Sequence, residues 1–290
     1  MNLAYPKQNF IDWLTQQWVI LRGQKIEPEN VPWLIGPFGE LGTIGDDFVI
    51  QLANTENLII ERNTTSHGLI SPFTQLNFSD SQLNQLSEKV IDFYENTANY
   101  DLNLIVKWNP FFKFFGVIVN KLFSRRINQL NIPTKNLKQP ENITSEIITL
   151  TDSKTKKVKY TIWFRTIEST GEVVYSGIYS TCKLPSGKMC VKAVFPLPKG
   201  NATVIMSTSV GHNGELILDA SGEKFGDPGF YFLLNDSKGN FWSQYIRSFR
   251  DQLKVYTDNE KIVAEQTLTL WNRQVLRFNY EIKHTEKKTN

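Results

Sequence analysis

A chain of 290 residues with 40% apolar and 21% charged side chains has an ordinary globular balance and room for a substantial core. Its net charge of +3 is too small to imply nucleic-acid binding, and none is expected. No stretch reaches the ~18 uncharged apolar residues of a spanning helix, so no transmembrane segment is expected.

The opening residues, MNLAYPKQNFIDW, lack a basic region followed by an apolar one, so no secretory leader is read and a cytoplasmic protein is expected. Residues 8–22 place Phe10, Ile11, Trp13, Leu14, Trp18 and Leu21 mostly on one helical stripe, which Gly23 ends. A Pro- and Gly-rich loop runs from Pro28 to Asp47, followed by a short helix or strand to Glu61. Gly36, Gly39, Gly42 and Gly45 recur every three residues there. They match neither the dinucleotide nor the phosphate-loop pattern, so they read as a structural loop. Ser79 to Gln82 forms a capping box opening a helix through Leu83, Leu86, Val90, Phe93 and Tyr94. Residues 100–107 then alternate as a strand.

The stretch NPFFKFFGVIVNKLFSRRINQL, residues 109–130, begins with a proline suited to a first helical turn. At a hundred degrees per residue, Phe111, Phe112, Phe115, Ile118, Val119, Leu122 and Phe123 share one arc; Lys113, Lys121 and Arg125 fall on the other. The favoured expectation is a helix over 110–130 whose phenylalanine face is buried against the rest of the protein. A lid over an apolar cavity and an amphipathic helix in peripheral contact with a membrane surface are the alternatives.

Residues 131–142 read as a linker, and beyond them the period changes to two. Strand-like runs fall at 146–150, 158–167, 173–184, 189–195, 202–210, 215–220, 230–234, 262–271 and 275–282. Turn chemistry at Ser169–Gly171, Pro185–Gly187, Asn213–Gly214 and Ser237–Gly239 separates several of them. One helix is expected near 241–254, with Trp242, Tyr245, Ile246, Phe249 and Leu253 on one face and Asp251 facing away. Residues 284–290 read as a frayed tail. The expected class is α+β. A mainly helical part, 1–140, would pack on a curved antiparallel sheet, 141–283, in one unit: a barrel, half-barrel or sandwich.

Several segments together resemble a family of uncharacterised bacterial proteins: GPFG and IGDDF within 36–48, GLISPF (68–73), FYENT (93–97), FSRRINQLNIP (123–133), YSGIYS (175–180), KAVFPLPKGNATV (192–204) and FGDPGFYF (225–232). The resemblance covers nearly the whole chain. It implies that the helical front and the β-rich back belong to one unit, and it transfers no catalytic residue.

Chemistry-bearing residues are sparse. Cys182 and Cys190 flank a tight turn and read as two free thiols. No spacing fits a metal site, and no cofactor motif is present. His67 is the one candidate general base among three histidines. Lys192 would suit a Schiff base if it faced a barrel interior, but the favoured reading points it to water. Arg165 could bind a carboxylate at a barrel mouth, with a surface position stacked on Trp163 preferred. The leading functional expectation is a module that binds an apolar small molecule or acyl chain, with Phe111, Phe115, Tyr175, Tyr179 and Arg165 as ligand-binding candidates. The alternatives are an enzyme acting on a carbonyl substrate through Lys192 or His67, and a structural or membrane-surface protein using helix 110–130.

Overall fold

The computed structural model describes residues 3–40, 44–62, 67–119, 127–129, 131–133, 136 and 139–285; the side chains of Phe115, Ile118 and Val119 also lie outside the described set. Within it, β1 (Gln24–Ile26) and β2 (Leu58–Arg62) are short. Then come β3 (Tyr100–Trp108), β4 (Glu141–Asp152), β5 (Val158–Ile167), β6 (Val173–Lys183), β7 (Met189–Leu197) and β8 (Gly200–Val210). The chain continues through β9 (Leu216–Ala220), β10 (Gly229–Asn235), β11 (Phe241–Tyr245), β12 (Phe249–Asp258), β13 (Lys261–Leu270) and β14 (Arg273–His284). The helices are α1 (Phe10–Arg22), α2 (Gly45–Glu56), α3 (Asp80–Leu83), α4 (Glu88–Glu95) and α5 (Pro110–Val119).

Ten antiparallel strands among the described residues close in the order β8-β7-β6-β5-β4-β3-β14-β13-β12-β9, and β9 returns to β8. The sheet is therefore a barrel. Strands β10, β11 and β1 extend it as a flap from β8, and β2 adds to β4. Because β3 lies before residue 140 yet sits between β4 and β14, the front and back of the chain share one sheet.

Along barrel strands alternate side chains point inward, but the wall from β4 to β8 is covered on its outside too. Phe48, Val49, Leu52 and Ala53 of α2 bury Ile148, Leu150, Ile162, Ile178 and Val194. The loop carrying Trp33 and Leu34 buries Cys182, Cys190, Ile205 and Tyr231. Strands buried on both faces lose their polar alternation, which is why β8 is buried without a break from Gly200 to Met206.

The strand register fixes two ends. One carries Trp108, the β7–β8 turn and the β13–β14 turn. The other carries the β8–β9 and β12–β13 turns and is capped by residues 67–99, where Phe73, Leu76, Val90, Phe93 and Tyr94 join the main core. The capping box forms at Ser79, whose hydroxyl accepts from Gln82 N at 3.3 Å while Gln82 Oε1 accepts from Ser79 N at 3.0 Å. The helix it opens stops after one turn, and α4 follows separately.

One expected helix is corrected, and so is the burial expected for another. The 241–254 segment is two strands, β11 and β12, split by a turn at 246–248. Its five apolar residues fit a helical period only if that turn is ignored; each half finds a partner strand on both sides and alternates. The 110–130 helix is described only as α5. On the face expected to be buried, Phe112 is buried and Phe111 is 82% exposed, so that face is divided; Phe114, not on it, is 73% exposed. Phe123 lies outside the described residues.

Candidate functional site

The barrel encloses a cavity of about 560 Å³. Inward positions come at every second residue: Trp163 and Arg165 on β5, Tyr175 and Tyr179 on β6, Asp251 and Leu253 on β12, Ala264 and Gln266 on β13, Tyr280 on β14. Most of the lining is apolar, as ligand cavities generally are. At the Trp108 end the cavity reaches α1, through Asp12, Thr15, Gln16 and Val19, and α5, through Phe112 and Gly116. Asn109 seats α5 by accepting from Phe111 N on its side chain at 3.0 Å.

A polar belt crosses this apolar interior. Arg165 is only 7% exposed. Its Cζ lies 3.9 Å from the ring centre of Trp163 and 4.6 Å from that of Tyr175. Its Nη2 donates to the Tyr179 hydroxyl at 3.2 Å. Its Nε is buried with no hydrogen-bond partner, and among the described residues no carboxylate pairs with the guanidinium. The rings satisfy such a cation in part, through cation–π attraction. Burial raises the pKa of Tyr175, Tyr179 and Tyr280, with the nearby Arg165 cation pulling each back. The Tyr280 hydroxyl is likewise buried and without a partner.

Asp251 completes the belt. Both its carboxylate oxygens accept from Gln266 Nε2, at 2.9 and 2.8 Å. Burial pushes its carboxyl up to about 7, against the Gln266 hydrogen bonds and with help from Asp219. The site thus offers one guanidinium without a counter-ion among the described residues, an acid that changes charge near neutral pH, and phenolic side chains, all inside an apolar wall.

The sequence candidates divide. Tyr175, Tyr179 and Arg165 line the cavity together. The preferred surface position for Arg165 is corrected: its face of β5 is the barrel interior, because α2 covers the opposite face. Phe111 points outward and does not line the cavity, where its neighbour Phe112 does. The Phe115 side chain lies outside the described residues. Lys192 does not face the cavity and is half-buried. It sits on the outer face of β7, where Nζ donates to the Ile35 carbonyl at 2.8 Å and burial lowers its pKa. His67 is half-buried beside a smaller hollow of about 340 Å³ with Lys159 and Thr161, and Lys192 lines neither hollow. Among the described residues no group of three or more His, Cys, Asp or Glu could hold a metal. Sequence reasoning missed Asp251, Gln266 and Tyr280. The alternation Phe249, Asp251, Leu253, Val255 was the signal for the first of these.

Fold and site together define a closed antiparallel barrel with a mainly apolar internal cavity. No family model matches the chain, and no solved structure matches it. It is similar to an "Uncharacterized membrane protein YndJ" of Bacillus subtilis (strain 168), 26% identical over 271 residues. That likeness covers 92% of this chain but 46% of the relative, so the chain spans a little under half of the relative's length. A likeness to an uncharacterised bacterial protein agrees with the resemblance carried by the motifs. The expectation of a cytoplasmic protein is corrected by the same finding, since the relative is named a membrane protein. Among the described residues no helix is long and apolar enough to cross a membrane.

Proposed function

We propose that the barrel binds an apolar small molecule or acyl chain bearing one acidic group, with Arg165 as the anchor of that group. The observation that carries this reading is a buried guanidinium, lacking a carboxylate partner among the described residues, that opens onto a cavity of about 560 Å³. Small-molecule sites typically measure ~300–1,000 Å³, with a few polar groups set in an apolar wall. An unpaired buried charge costs several kcal/mol, and an acidic ligand head would remove that cost. Tyr179 already orients Nη2, the guanidinium nitrogen that the head would meet. The apolar residues on either side of the belt would hold the tail. An enzyme working through Lys192 or His67 has less support, because neither side chain lines this cavity.

Native mass spectrometry of the purified chain, followed by titration with an environment-sensitive fatty-acid probe, tests the proposal. Retained ligand or saturable probe binding is expected. Arg165→Met should weaken the probe by roughly ten- to a hundredfold, the worth of one or two charge-assisted hydrogen bonds. Neither retained ligand nor saturable binding would end this reading.

A further inference from the structure

We infer that the end of the barrel bearing α1, α5 and the β13–β14 turn is a docking face for an anionic bilayer surface. The first observation is that α1 is packed inside out. It buries Asp12, Gln16 and Gln17 beside only two apolar residues, Val19 and Ile20, and exposes Phe10 (71%), Leu14, Trp18 and Leu21. The buried side is secured by polar contacts: Gln16 Nε2 donates to the Pro198 carbonyl at 2.8 Å, and Gln17 Oε1 accepts from Ala4 N at 3.1 Å. The helix therefore docks through a largely polar side, with Val19 and Ile20 at its edge, and leaves Phe10, Leu14, Trp18 and Leu21 for something else.

The second observation is that this side does not stand alone. Phe111, Phe114 and Val117 of α5 are also exposed, and Trp271 at the β13–β14 turn is 69% exposed. The register places all of them at one barrel end. Gln16 bonds Pro198 in the β7–β8 turn, α5 continues from Trp108, and Leu276, just past Trp271, pairs with Trp108. Both α1 and α5 line the cavity with their other sides, so the apolar face surrounds its mouth. A soluble surface rarely keeps so many large apolar side chains together unless something covers them.

Charge selects the occupant. In residues 3–22, 109–119 and 271–275 the charged side chains are Lys7, Arg22, Lys113, Arg273 and Asp12, and Asp12 is buried. These three segments leave only positive charge at the surface; Glu168 and Glu172 of the β5–β6 turn, at the same end, lie outside them. Phe, Leu and Trp interleaved with Lys and Arg on helices lying in a plane is the pattern that settles at the headgroup level of anionic membranes.

The test is co-sedimentation of the full chain with mixed phosphatidylglycerol–phosphatidylcholine vesicles, and with phosphatidylcholine vesicles alone. Binding to the anionic vesicles is expected, weakening with salt. Phe111→Ser combined with Phe114→Ser, and separately Leu14→Ser with Trp271→Ser, should each reduce it by about tenfold or more. Melting temperature should stay unchanged, since these side chains are exposed, and so should fatty-acid probe binding in solution, which keeps this result separate from the ligand reading. No binding to anionic vesicles, or binding that the variants leave intact, would overturn the inference. Equal binding to both vesicle types would overturn the anionic assignment. Self-association lost in the same variants, without vesicle binding, would give the face to a second copy of the chain.

Discussion

Arg165 and Asp251 share the barrel interior, one a cation without a counter-ion among the described residues and the other an acid held by Gln266. Their chemistry predicts opposite consequences for stability and binding. Removing an unpaired buried charge is often neutral or stabilising, so Arg165→Met should hold or raise the melting temperature while weakening the ligand probe. A fall in stability of ~3–5 kcal/mol in chemical denaturation would instead mean that Arg165 closes an ion pair in solution. For Asp251, the unfolded carboxyl titrates near ~3.9, whereas the folded one keeps its proton up to about 7. Protonation therefore favours the fold fully below pH ~4, and that contribution is lost as pH rises through 7, on the order of 4 kcal/mol at full effect. Asp251→Asn should flatten the decline in denaturation midpoint between pH 5 and 8; an unchanged slope would place the titration elsewhere. The sequence offered Arg165 as a carboxylate ligand but favoured a surface position for it, and it did not single out Asp251. In YTIWFRTI the face opposite Ile162 and Phe164 is evident, but both faces of β5 carry apolar residues because α2 covers one of them. Nothing local says which face is the interior.

Elements were more legible than roles. Strand β5 falls on the expected residues, β6, β7 and β14 lie within two residues of theirs, and the turn at Pro185–Gly187 sets Cys182 opposite Cys190. Short polar turns with glycine constrain the chain locally, so these could be read without tertiary information. The errors came where tertiary pairing decided between periods, as in β11 and β12, or where a helix has apolar residues on more than one side, as in α5. Gly116 shows how α5 is fixed. A Cβ there would lie 2.5 Å from the Trp108 ring, while Trp108 Nε1 donates to the Pro133 carbonyl at 2.8 Å and holds that ring in place. Gly116→Val should therefore push α5 off the barrel rim and destabilise by roughly 1–3 kcal/mol, as overpacking does. The denaturation midpoint and indole fluorescence should shift together. Wild-type stability in that variant would show that α5 does not rest on Trp108.

At the scale of the whole molecule, closure explains why a chain of this composition can leave space at its centre. Five-residue β9 bridges β8 and β12, removing two open edges and letting the wall be stabilised from outside by α2 and the Trp33 loop. The interior is thus relieved of part of its usual packing role. The sequence announced a curled antiparallel sheet through its turns, but closure depends on β8 pairing with two strands beyond a turn, which no local pattern encodes. The cavity itself can be tested by filling it. Ala264 points inward on β13 and lines the void, flanked by Ile262 and Gln266 on the same face. In a close-packed core, adding methylenes there would cost ~1–3 kcal/mol. Where space exists, Ala264→Leu gains buried apolar surface at ~25 cal/mol per Å² without forcing its neighbours aside. The variant should keep or raise its melting temperature and lose at least about tenfold in fatty-acid probe affinity, because side chain and ligand compete for one volume. A destabilised variant would mean that the interior is filled by the protein's own side chains, and the ligand-binding proposal would fall with it.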